Sequence, residues 1–103
     1  MAKSADRIGS IIPGVLKQLG LEGRIEEEKL KRQWASVAGE AIAKVSRPVR
    51  VRDGVLYVEV ESGAWVQELS FRRRQFVELI RDRYRAIGLK DIRFELKRGD
   101  RRG

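Results

Sequence analysis

Three consecutive arginines, Arg72, Arg73 and Arg74, are the residues of this chain best suited to chemistry, and that chemistry is recognition of phosphate. A guanidinium is planar, permanently charged and forked, so it matches phosphate or carboxylate oxygens better than a lysine ammonium does. Three successive residues fan over most of a helix's circumference, so at least two of these must face solvent or a partner. An i, i+4 ion pair of Arg74 with Glu78 would account for one of them and leave the others unexplained. Further uncompensated charge lies in Arg47, ahead of the first strand, and in Lys97, Arg98, Arg101 and Arg102 of the tail. Together with the triplet these are the candidate phosphate contacts.

Reaction chemistry finds little footing. The chain has no cysteine and no histidine, which excludes disulfides, thiol nucleophiles, His-based triads and the usual zinc sites. It contains no Walker-type phosphate loop. Glu26, Glu27 and Glu28 form an acidic run at a helix start, where carboxylates favour the positive end of the dipole. The expectation is a binding protein with no enzymatic activity, cofactor, metal or small-molecule substrate.

Charge supports this. The 103 residues carry a net charge of +8, which points toward polyanions. Residues 1–43 hold seven Lys or Arg against six Asp or Glu, and residues 44–103 hold sixteen against nine. The basicity therefore belongs to the second half. No run of about 18 apolar residues is present, and MAKSADRIGS is too polar for a signal peptide, so the expected location is cytoplasmic, without membrane contact.

The elements that must position these residues follow from periodicity. Ile8, Ile11, Ile12, Val15, Leu16 and Leu19 predict a first helix stopped by Gly20, with Pro13 in or near its first turns. Ile25, Leu30, Trp34, Val37, Ala41 and Ile42 predict a second, loosened at Gly39 and ended before Pro48. Val49 and Val51, then Leu56, Val58 and Val60, alternate with polar residues around Asp53-Gly54, a hairpin signal. Ser62 caps a helix reaching about Ile87, with Trp65, Leu69, Phe76, Leu79, Ile80, Tyr84 and Ile87 as its stripe. Phe71 falls off that stripe and Arg72 falls on it, which predicts a break near Ser70. Ile92, Phe94 and Leu96 predict a third strand.

The expected fold is α+β, in the order α-α-β-β-α(α)-β, with N-terminal helices and a three-stranded sheet covered on one face. Val49, Val51, Leu56, Val58, Val60, Ile92, Phe94 and Leu96 are expected to point inward. One domain over residues 1–96 and a basic flexible tail over 97–103 are expected.

The segments QWASVAGEAIAKVSRPV (Gln33 to Val49) and SGAWVQELSFRRRQFVELI (Ser62 to Ile80), with GVLYVEVESGAWVQEL and the closing DIRFEL, resemble the DciA-like family of bacterial replication proteins. The resemblance covers roughly Ile8 to Leu96. It implies a fold related to type II KH domains, binding to the replicative DNA helicase, help in placing that helicase on single-stranded or forked DNA in bacteria that lack an ATP-driven loader, and hence a location at the nucleoid. It also raises the prospect that Trp34, Trp65 or Phe71 contributes to a helicase-binding patch, although both tryptophans share helix faces with apolar residues and read as core on pattern alone.

Two other readings stand beside it. One is an RNA-binding KH-like module, against which count the single aromatic, Tyr57, on the open sheet face and the placing of the only GxxG match. That match, Gly20-Leu21-Glu22-Gly23, joins the first two helices, where a helix stop and a turn explain it better. The other is a protein-interaction domain whose charge serves solubility.

Overall fold

The computed structural model describes residues 14, 15 and 20–98. Of the helix expected over Ile8 to Leu19, only Gly14 and Val15 fall within that range, and both are helical; Arg101 and Arg102 lie outside it.

The second expected helix is three short ones. Helix α1 spans Glu22–Arg32, with Glu22 in its first turn and Lys29, Lys31 and Arg32 in its last, the arrangement the helix dipole favours. Helix α2 spans Trp34–Ala38, and Gly39 ends it at φ 93°, a value glycine adopts without strain. Helix α3 spans Glu40–Val45 and passes directly into the first strand. The breaks matter because one straight helix could not turn Leu30, Trp34, Val37 and Ile42 onto one core, where all four are buried.

Strand β1 (Ser46–Arg52) and strand β2 (Val55–Val60) pair antiparallel, and strand β3 (Asp91–Leu96) adds to β2 in parallel. The sheet order is β1-β2-β3. Asp53 at φ 52° and Gly54 at φ 80° make the tight connection, both left-handed as a primed hairpin turn demands. Helix α4 (Gly63–Ser70) and helix α5 (Arg73–Arg83) follow β2, then a 3₁₀ turn over Arg85–Ile87. From α3 onward the order is α-β-β-α-α-β, as expected of a type II KH arrangement.

One face of the sheet is apolar and packs under the helices. Leu56, Val58, Val60, Ile92 and Phe94 are buried there with Leu69, Phe76, Val77 and Ile80 of α4 and α5. Phe76 links the layers. Its ring stacks on Trp34 at 6.2 Å between centroids and meets Phe94 edge-on at 5.7 Å, geometries favoured by the ring quadrupole.

Three inward positions differ from the pattern. The β1–β2 register shifts between Pro48 and Arg50, so Val49 occupies a bulge and is half-buried while Pro48 takes the buried place. Pro48 is tolerated because β1 is an edge strand. Leu96 is 56% exposed at the end of β3. On α5, Val77 is buried and Leu79 is partly exposed, because the helix restarts at Arg73 after the break and its inward face is reset.

Candidate nucleic-acid and partner surface

The break between α4 and α5 creates the principal surface. Ser62 Oγ accepts the Trp65 N–H at 3.2 Å and fixes where α4 begins. Leu69, near its end, is fully buried. Phe71 then donates its N–H to Gln67 and Arg72 donates to Leu69, and Phe76 is the next side chain to enter the core. Since Leu69 and Phe76 anchor both helices inward, the intervening side chains must point out. Phe71 is 78% exposed, and Arg72, Arg73 and Arg74 are all exposed.

The triplet's charges are lightly held. Arg72 pairs with Glu68 at 2.9 Å, one turn back, and Arg73 Nε lies 3.3 Å from Asp91 Oδ1. Arg74 pairs with no carboxylate among the described residues, so the expected Arg74–Glu78 bridge gives way to Arg72–Glu68. Such half-exposed pairs contribute about 0–1 kcal/mol, little enough for a phosphate to replace the carboxylate.

The other candidates lie elsewhere. Arg47 sits on the open sheet face and pairs with Glu59 at 3.2 Å. It lines a shallow hollow of about 200 Å³ with Lys44, Glu61 and Lys97. Arg98 follows, exposed. The structure thus brings Arg47 and Lys97 together in a hollow that Arg72, Arg73 and Arg74 do not line.

The open sheet face is poorly arranged for base stacking. Its single aromatic among the described residues, Tyr57, has the Arg50 guanidinium over its ring at 4.6 Å, and a base would have to displace that cation. The glycines of the GxxG match serve a turn and a close approach of backbones. Gly20 takes φ 72°, and a Cβ on Gly23 would stand 3.2 Å from the Ala86 carbonyl oxygen, so glycine lets α1 approach the 3₁₀ turn closely.

The tryptophans divide. Trp34 is 5% exposed and its indole N–H donates to Ser46 Oγ at 2.9 Å; it is a core residue. Trp65 is half-buried against the core.

A further basic feature involves none of the cations singled out from the sequence. Arg81, Arg85 and Lys90 line a groove of about 570 Å³ with Gly88 and Leu89, and no carboxylate lines it. Arg83 is different: it donates to Ser36 Oγ at 3.1 Å and ties α5 to α2. The i, i+4 spacing of Arg81 and Arg85 and the left-handed Gly88 were the available signals.

The family model described as "Dna[CI] antecedent, DciA" matches residues 7–94 of the chain. A UPF0232 protein of Rhodococcus jostii is 33% identical over 72 residues, covering 70% of this chain and 38% of that protein. Its counterpart in Mycobacterium tuberculosis is 34% identical over 73 residues, covering 71% and 39% respectively. That of Mycobacterium leprae is 33% identical over 73 residues with the same coverage. The chain therefore spans about two-fifths of the length of the curated relatives it matches.

Proposed function

The chain belongs to the DciA family, a helicase-loader family, and from that premise we propose that it binds the replicative DNA helicase and helps place it on single-stranded or forked DNA. The observation that carries the proposal is the α4–α5 turn, where a 78% exposed Phe71 stands beside three exposed arginines. A largely exposed phenylalanine supplies a partner with an apolar anchor. Arginines beside it supply phosphate contacts that any sequence satisfies. The tail cations Lys97, Arg98, Arg101 and Arg102, with Arg47, extend the electrostatic attraction and steer encounter with DNA.

Such a protein acts without hydrolysing ATP. By holding helicase and strand at once it converts a bimolecular encounter into a local one, with effective concentrations that reach about the millimolar range for short flexible connections. Trp65 borders the patch as a secondary contact, and Trp34 supports it from the core.

The RNA-binding alternative is weaker on two counts. The helix–helix turn where a KH domain carries its backbone-clamping loop reads Ser70-Phe71-Arg72-Arg73 and has no glycine. The sheet aromatic, Tyr57, is occupied by Arg50. The test is pull-down of the replicative helicase by a Phe71→Ala variant. Loss of capture with unchanged melting supports Phe71 as the helicase anchor; full capture by folded Phe71→Ala, Trp65→Ala and Trp34→Phe variants rejects this patch, and no capture by the wild type rejects helicase binding itself.

A further inference from the structure

The two edges of the described sheet are unlike each other. On β1 the edge is tied off: Pro48 has no N–H to offer, Val49 bulges, and the Val51 N–H is taken by Glu27 Oε2 of α1 at 3.1 Å. On β3 it is not. Asp91 donates its N–H to Gly54 and Lys97 donates to Val60, so the odd-numbered residues turn their backbone groups toward β2. By strand alternation Ile92, Phe94 and Leu96 turn theirs outward. The Ile92 N–H meets its neighbour's carboxylate, Asp91 Oδ1, at 2.8 Å, a local substitute for a ladder partner.

We infer that this edge pairs with the β3 edge of a second copy of the chain, antiparallel and centred on Phe94. In that register the two Phe94 residues exchange backbone hydrogen bonds, and Ile92 of each copy does so with Leu96 of the other. Every outward backbone group of the strand is then used. The side chains agree. Arg93 lies opposite Glu95 and Asp91 opposite Lys97, on both sides of the two-fold axis, and these are cross-strand neighbours close enough to attract. On the other face Leu96, exposed in the single chain, packs beside Ile92 of the second copy. A shift of the centre to Arg93 sets Arg93 against itself and Asp91 against Glu95. A shift to Glu95 sets Glu95 against itself and Arg93 against Lys97. The charge pattern D-I-R-F-E-L-K therefore selects the Phe94 register.

The product is a closed two-fold dimer with one continuous six-stranded sheet, made from the three described strands of each copy. Its formation requires Asp91 to leave the Ile92 N–H and to exchange Arg73 for Lys97 of the second copy. Arg73 is thereby freed for another anion. The same charges on an uncommitted edge would only discourage pairing, and it is their order that distinguishes the cases.

Sedimentation of the 103-residue chain over a wide concentration range tests the inference. The wild type forms dimers as concentration rises. Arg93→Glu or Glu95→Arg alone weakens dimerisation about tenfold, since each places like charges opposite one another twice across the axis. The exchange Arg93→Glu with Glu95→Arg keeps the net charge and restores the dimer. Leu96→Pro removes an outward N–H without touching the β2 ladder and weakens it also. A chain that stays monomeric throughout, or a dimer indifferent to the single reversals in variants that melt normally, overturns the inference.

Discussion

The indole N–H of Trp34 donates to the hydroxyl of Ser46 at 2.9 Å, and that hydroxyl donates in turn to the Ile42 carbonyl at 2.6 Å. This relay joins α2, α3 and the first residue of β1 around a buried tryptophan whose ring also stacks on Phe76. It fixes the hinge between the helical and sheet halves of the chain, and Phe76 of the same aromatic cluster anchors the helix that follows the α4–α5 turn.

Trp34→Ala should therefore cost about 3–5 kcal/mol by loss of packing. Trp34→Phe, which keeps the stack and loses the donor, should cost far less, and Ser46→Ala, which strands a buried donor, about 1–3 kcal/mol. Denaturant unfolding of the three variants gives the order.

Phe71→Ala should leave stability within about 0.5 kcal/mol of the wild type, because the side chain is exposed and lies outside the core. Thermal melting checks this, and an unchanged melt licenses any binding loss to be read as a surface effect.

Arg74→Ala should weaken binding to single-stranded DNA without altering the fold, since Arg74 has no carboxylate partner among the described residues. Replacing Arg72, Arg73 and Arg74 together should flatten the plot of log affinity against log salt by about 0.7 for each phosphate that is no longer neutralised. Titration of labelled oligonucleotide at several salt concentrations measures the slope.

Glu27→Ala should destabilise by about 1–2 kcal/mol, because it strips the acceptor from the Val51 N–H on an edge strand. Glu28→Ala, which removes only a surface pairing with Lys31, should fall below about 0.5 kcal/mol. Paired unfolding curves separate the two.

Much of this architecture is legible in the residues, and the exceptions have local causes. Asp53-Gly54 marked the hairpin because left-handed turn positions restrict residue choice sharply. The break near Ser70 was legible because Phe71 and Arg72 exchange the places that one continuous stripe would give them. The bulge at Val49 was not, since Pro48 and Val49 are both apolar and alternation cannot tell which one turns inward. The interruption at Gln33 carries no glycine or proline to announce it. The pairings of Arg72 with Glu68 and of Arg73 with Asp91 depended on where α5 restarts, and Asp91 is brought near only by the parallel return of β3. Likewise the groove of Arg81, Arg85 and Lys90 needs the left-handed Gly88 to fold the last of these back beside α5.

Sedimenting the chain with the replicative helicase of its own host, with and without forked DNA, at two salt concentrations decides whether it acts on the helicase. A helicase loader forms a complex with the helicase, increases deposition of helicase on the fork, and loses that gain when Arg72, Arg73 and Arg74 are replaced. Salt-sensitive nucleic-acid binding with no helicase complex would contradict helicase loading and bring the RNA-binding reading forward.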